Sequence, residues 1–389
     1  MSSPLNSAIN RRLWPLYLAA FLQAIAFWYA IEKLFMTNIG YDTADIGLLA
    51  VLMSIIIIFT ETPSGILADR WSRKGVAIVG AVALLLSTFI GVISYNETTF
   101  ILCWVFWGIF TAMYSGTYDS MIYDTLIEEN GNANNYSKYL GRLRIVEGSS
   151  FVIGALLGGI IAEGFGLRET FLFTLPFTLL SIPFLLRFRE PTIHRSKLAE
   201  PILKHIRQTF SVVLRNANLA GIVIAAVGIS LVVETIYEFN QLWFIDLNAP
   251  ALAFGVISAL IFGTWSLGGI LERLIKSKPG QIIFMSGTIS LLTGIVFSRS
   301  YVVTVTLMFI ATSLMVAVGV YLASRVHDQL PSRLRAGSSS VISTVTRTLM
   351  IPMALALTLI AQTINIFTAG WILVLVIILA TIAYIALKR

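Results

Sequence analysis

Val76-Ala77-Ile78-Val79-Gly80-Ala81-Val82-Ala83-Leu84-Leu85-Leu86-Ser87-Thr88-Phe89-Ile90-Gly91-Val92-Ile93-Ser94-Tyr95 is a run of twenty residues without a charge. At 1.5 Å per residue a helix of that length crosses about 30 Å, the thickness of a bilayer's hydrocarbon core. Trp371–Leu387 has the same character. The whole chain of 389 residues is 57% hydrophobic and only 12% charged, with a mean hydropathy of +0.84. That charge share is about half that of a soluble globular chain, too small to cover a fold of this size in water. Backbone groups in lipid must be satisfied internally, which leaves helices or closed barrels. Barrels show short alternating segments, and these runs are long and continuous. The sequence therefore predicts an all-α integral membrane protein.

Twelve spans can be drawn, near 13–35, 44–68, 75–95, 98–126, 138–163, 168–186, 217–245, 250–274, 279–298, 300–323, 336–361 and 366–387. The stretch from Arg187 to Arg215 carries seven bases and two prolines and is the longest polar segment. The expected organisation is a six-helix bundle over 1–186, a linker over 187–216 and a second six-helix bundle over 217–389. With an even number of spans both termini lie on one side. That side collects twenty-three of the 27 Lys and Arg residues; the other side has Lys33, Arg168 and Arg299, and Arg347 lies inside a span. Bases accumulate on the cytoplasmic side, so termini and linker are expected in the cytoplasm and the protein in the cytoplasmic (inner) membrane. The same asymmetry explains the net charge of +7 without invoking nucleic acid. Arg11-Arg12 precedes an apolar stretch that no small-residue cleavage site closes, which reads as a retained first helix. Cys103 is the single cysteine, so no intramolecular disulfide is possible.

The two halves share a signal. Gly65-Ile66-Leu67-Ala68-Asp69-Arg70-Trp71-Ser72-Arg73-Lys74 follows span 2, and Gly268-Gly269-Ile270-Leu271-Glu272-Arg273-Leu274-Ile275-Lys276 follows span 8. Each has a Gly, then an acid at +4, Arg at +5 and a base at +8, at the same place in its half. Such internal repeats mark transporters that arose by duplication. The first segment resembles the loop motif of the major facilitator superfamily, with Ser72 where Gly is usual. Gly154-Ala155-Leu156-Leu157-Gly158-Gly159 resembles the glycine motif of that superfamily's antiporters, with Ala155 where Pro is typical. Trp104-Val105-Phe106-Trp107-Gly108 occupies the place of a motif that normally begins with Arg. Glu61-Thr62-Pro63-Ser64-Gly65 and Ser115-Gly116-Thr117-Tyr118-Asp119 through Leu126 look like a bacterial branch labelled as efflux proteins.

The resemblance implies alternating access between two states, with Gly65, Asp69, Arg70, Arg73 and Lys74 as a cytoplasmic gate and Glu272 and Arg273 as its repeat. Asp69 can face the positive N-terminal end of another helix, which the resemblance implies is span 11. The bases can pair with acids at the ends of spans 4 and 5, Asp124 first among them. A plain positive-inside signal needs the bases but not Asp69. Gly154 and Gly158, four apart, are expected to let two backbones approach closely.

Charges are costly in hydrocarbon and mark function there. Glu61, Asp119, Asp124, Glu147, Glu234 and Glu238 stand within the spans, with Arg144 and Arg347. Asp119 is the first choice for a proton or substrate site. It shares a helix with Tyr114, Ser115, Tyr118 and Tyr123, which can bond a polar ligand. Desolvation in general favours the protonated form of a carboxylate. Pairing with Arg144 is the structural alternative. Glu61 lies about 10 Å deep and just before Pro63, which equally supports a hinge. Arg144 and Glu147, three apart, can pair on one face. Glu234 and Glu238 share a face of span 7. Arg347, near the midplane, can pair with Glu234 or bind an anionic group, and the excess of acids favours the former. Span 1 offers Gln23, Trp28, Tyr29 and Glu32; Trp28 and Tyr29 can line a cavity or form an interfacial aromatic belt.

No nucleotide loop, no Cys/His metal spacing and no nucleophile constellation is visible, so neither cofactor, metal nor enzymatic activity is expected. The expected function is proton-coupled export, by antiport, of a small amphipathic cationic or zwitterionic compound, with multidrug efflux as the family-level label and a monomer as the working unit. Nutrient symport and lipid flipping are the alternatives.

Overall fold

The computed structural model describes residues 4–133, 135–192, 216–271, 275, 278–329 and 335–386. Every regular element among them is helical. Among the described residues ten helical segments are long and apolar enough to cross a membrane, and two shorter apolar helices, Ala251–Trp265 and Ile283–Phe297, fall where spans 8 and 9 were predicted. Together they account for the twelve expected crossings.

In chain order the elements are α1 (Pro4–Ala24), a 3-10 turn (Tyr29–Ile31), α2 (Glu32–Asn38), α3 (Thr43–Arg70), α4 (Arg73–Ile93), α5 (Glu97–Tyr114), α6 (Thr117–Asn130), α7 (Tyr136–Gly164) and α8 (Glu169–Arg187). Then follow α9 (Ala217–Asp246), α10 (Ala251–Leu271), α11 (Lys278–Phe297), α12 (Tyr301–Gln329), α13 (Arg335–Thr363), α14 (Ile366–Ala369) and α15 (Trp371–Ala386).

Two predicted spans are not single helices. Span 4 breaks at Ser115-Gly116, between α5 and α6. Gly116 adopts φ +71°, a left-handed conformation that only a residue without Cβ takes readily. Span 1 breaks after Ala24, and no Pro or Gly lies there to announce it. The freed backbone is satisfied from other helices, as it must be in a bilayer. Phe27 N donates to Thr174 Oγ1 at 3.1 Å, and Phe21 O, which keeps its bond from Ile25 N at 3.1 Å, takes a second from Ser150 Oγ at 2.5 Å. Glycines of α7 make room for the break. A Cβ on Gly154 would lie 3.3 Å from Ala26 N, and one on Gly158 would collide with Phe27 O. The glycine spacing thus serves close packing. Pro63, by contrast, lies within α3 without ending it.

The chain divides into two compact units. The first comprises Met1–Tyr41, Leu52–Lys197 and Pro250–Ala259. Its core gathers Ile9, Leu13, Leu16 and Ala20 from α1 at helical spacing, with Tyr118, Met121 and Ile122 from α6 and Tyr139 and Leu143 from α7. Pro250–Ala259 packs on α7, where Gly159 and Gly255 meet backbone to backbone and Leu252 N donates to Glu163 at 3.2 Å. The second unit comprises Asp42–Val51, Leu198–Ala249 and Leu260–Arg389. In it α9 packs against α12, α13 and α15. The start of α3 belongs to this unit, with Thr43 N donating to Gln362 at 3.1 Å.

Candidate functional site

The break in span 4 positions a polar network in the first unit. α6 starts immediately after Gly116, so Asp119 sits in its first turn. Arg144, on α7, holds both Asp119 carboxylate oxygens, at 2.8 and 2.7 Å. Its other terminal nitrogen donates to Glu147 Oε2 at 2.9 Å. The remaining oxygen of Glu147 accepts a hydrogen bond from Tyr114. The Tyr114 ring stacks on Tyr118 at 4.2 Å, and Tyr118 donates to Gln23 Oε1 at 2.7 Å. Gln23 closes the chain by donating to Ser181 at 3.4 Å. Ser115, at the break, donates to Glu61 Oε1 at 3.3 Å.

Two acids, Asp119 and Glu147, thus converge on one base and a file of hydroxyls, with Glu61 held separately by Ser115. Accessibility grades along the file: the side chains of Arg144, Asp119 and Glu147 are 51%, 29% and 12% exposed, and Tyr118 is buried. Charges so placed can exchange protons or bind a polar group at the open end, while the buried end anchors their geometry.

Several sequence expectations are placed differently. Tyr118 was expected to face a ligand, but its hydroxyl is committed to Gln23 inside the core. Trp28, expected to line a cavity, is buried, stacked on Phe171 at 5.1 Å and edge-on to Trp107 at 5.0 Å. Trp28 packs there because the break in span 1 turns residues 27–31 into the bundle. Lys33, assigned by sequence to the outer surface, is also buried. It bonds Glu32 at 3.0 Å and sits 4.6 Å above the Trp104 ring. This intramembrane ion pair was missed because Lys33 lies near a predicted span end, where a base ordinarily snorkels. A cation therefore does adjoin Trp104, delivered from span 1.

In the second unit, no ion pair closes between Glu234 and Arg347 within 4 Å among the described residues. They lie on α9 and α13. Glu238 is half-buried one turn beyond Glu234. Tyr237, between them, shares a 2.5 Å hydrogen bond with Thr264.

The loop after span 2 is tied within its own unit. Arg73 bonds Asp124, Ser120 O at 3.2 Å and Asp69 at 3.3 Å. Lys74 Nζ donates to Leu186 O at 2.6 Å. Arg70 is exposed, and the space around Gly65 is open. Sequence reasoning missed Glu190, which lies in the predicted linker. It accepts from Ser72 Oγ at 2.6 Å and from Lys74 N at 3.2 Å, capping α4. Arg12 likewise binds Glu128 and Glu129, at 3.1 and 2.6 Å. Glu272 and Arg273 lie outside the described residues.

A multi-pass helical membrane protein with broken spans and charged residues beside the breaks is the form a small-molecule carrier takes. The chain belongs to the Major Facilitator Superfamily, whose sequence profile matches residues 13–355. It is 21% identical over 290 residues to an uncharacterized MFS-type transporter, MJ1560, of Methanocaldococcus jannaschii, covering 74% of this chain and 72% of that protein. It is 23% identical over 157 residues to the quinolone resistance protein NorA of Staphylococcus aureus, which covers 40% of this chain and 39% of NorA. A crystal structure of a mutant nucleoside transporter NupG superposes with a TM-score of 0.78 at 16% identity, covering 96% and 99% of the two chains. That likeness shows the fold.

Proposed function

We propose that this protein is a proton-coupled antiporter exporting a small amphipathic cationic or zwitterionic compound by alternating access, without catalysing a chemical conversion. The observation that carries this reading is the Asp119–Arg144–Glu147–Tyr114 network with Glu61 beside it. Acids in excess of bases favour a cation, and a carboxylate already matched to an arginine can trade that partner for a proton or a substrate amine. The stretch similar to NorA supports the export direction.

The reading places both termini and the linker in the cytoplasm of a cell with an inner membrane. With Lys33 withdrawn into the bundle, only Arg168 and Arg299 oppose the twenty-three bases of the other side. It also takes 1–186 and 217–389 as the two bundles, a monomer as the working unit, and Asp69 with Arg73, Lys74 and Asp124 as the gate.

The test is pH-gradient-driven uptake of a fluorescent lipophilic cation in inverted vesicles, comparing the parent with Asp119→Asn. Uptake in the parent that the substitution abolishes supports antiport through this carboxylate. Absence of uptake in the parent, with accumulation of a nutrient in intact cells, would replace export by symport.

A further inference from the structure

Away from this network, α1 and α7 enclose a second feature. α1 places Asn10, Trp14 and Tyr17 on one face, at spacings of four and three. α7 answers with Arg142, Ile145 and Val146, at three and four. These six residues line a groove of about 340 Å³. It is graded along its length. At the end near the chain terminus Arg142 donates to Asn10 Oδ1 at 2.8 Å, and its guanidinium lies 5.1 Å from the Tyr139 ring. Lys138, one turn earlier on the same face of α7, is exposed. Arg187 adds its guanidinium 5.4 Å from the Trp14 ring. One to two turns deeper the wall is apolar, and Ile145 is 71% exposed.

The charge balance at the rim is one-sided. Arg12 is engaged by Glu128 and Glu129 and adds no free positive charge. Arg142 meets only a neutral amide, with no carboxylate within 4 Å among the described residues. Bases without a carboxylate partner among the described residues, above an exposed apolar wall with a Trp and a Tyr at the transition, match a lipid whose phosphate lies above its acyl chain. A free phosphate would have no use for Trp14 or Ile145.

We propose that this groove binds an anionic phospholipid of the adjoining leaflet, the phosphate at Lys138 and Arg142 and the upper acyl chain along Trp14, Ile145 and Val146. In the orientation proposed above that leaflet is the cytoplasmic one.

The test uses the full chain reconstituted in phosphatidylcholine vesicles doped, in both leaflets, with brominated phosphatidylglycerol or brominated phosphatidylcholine. Bromine quenches tryptophan at contact. The Trp14 contribution is the difference between the parent and Trp14→Phe, and the seven other tryptophans report general lipid exposure. Trp14 is expected to be quenched preferentially by the anionic lipid. Lys138→Gln and Arg142→Gln should each lower its relative association constant about fivefold without altering quenching of the other tryptophans. Arg142→Lys, which keeps the charge, should retain the preference. Equal quenching of Trp14 by the two lipids, or a preference that survives both neutralising substitutions, would overturn the assignment. Because both leaflets carry the probe, the result does not depend on membrane orientation. Should Arg142→Gln fail to fold, the exposed Lys138 still decides the question.

Discussion

Arg144 grips Asp119 by both carboxylate oxygens, at 2.8 and 2.7 Å, across the gap between α7 and the start of α6. The same guanidinium holds Glu147. One base serving two acids leaves the site a carboxylate in excess.

Because the Asp119–Arg144 pair is open to water, its loss should cost less than about 1 kcal/mol of stability. Asp119→Ala, which removes this pair and leaves Arg144 on Glu147, should therefore unfold near the parent Tm while driven uptake falls by more than about tenfold, as the loss of a charge pair worth about 1.4 kcal/mol or more at the transport step requires. A large drop in Tm with unchanged uptake per folded molecule would make the pair a structural brace instead.

Glu32 and Lys33 present the opposite case, with side chains 6% and 1% exposed. Removing one partner strands a buried charge, and Lys33→Met should destabilise by about 3–5 kcal/mol. The double variant Glu32→Gln, Lys33→Met should recover most of that loss. Thermal unfolding in detergent reads both, and a double variant no better than the single would show that other contacts of Lys33 dominate.

Gly158 lies where a Cβ meets the Phe27 carbonyl of the broken span. Gly158→Ala should cost about 1–3 kcal/mol through forced backbone movement. Gly164→Ala, with open space around it, should lie within about 0.5 kcal/mol of the parent. Equal Tm values for the two would contradict the packing described for α7.

Glu190 accepts at the first turn of α4. Glu190→Ala should remove about 0.5–2 kcal/mol of cap stabilisation. The loss should be local, read as faster hydrogen exchange at the Lys74 and Gly75 amides. Unchanged exchange there would show that Ser72, which caps Gly75 N at 2.8 Å, holds the helix start alone.

The sequence by itself determined the membrane, the number and order of spans, and the family, because each follows from local quantities: apolar run length, the side on which bases fall, and a loop motif repeated in the same place. It also placed Arg144 beside Glu147, since three residues of helix bring them to one face. The break in span 4 has a local sign in Gly116, although the span reads as continuous over 98–126. The break in span 1 was not legible, because Ile25-Ala26-Phe27-Trp28 contains no breaker. Thr174, more than a hundred residues away, satisfies the Phe27 amide, Ser150 adds a bond to Phe21 O, and Gly154 and Gly158 give the break room. That break in turn buries Trp28 and Lys33. The Tyr118 hydroxyl bonds Gln23 of α1, and Glu190 folds back from the linker onto α4. Only the tertiary structure decided these, because the partner that fixes each group lies on a different helix, and in a medium without water a polar group goes wherever such a partner is.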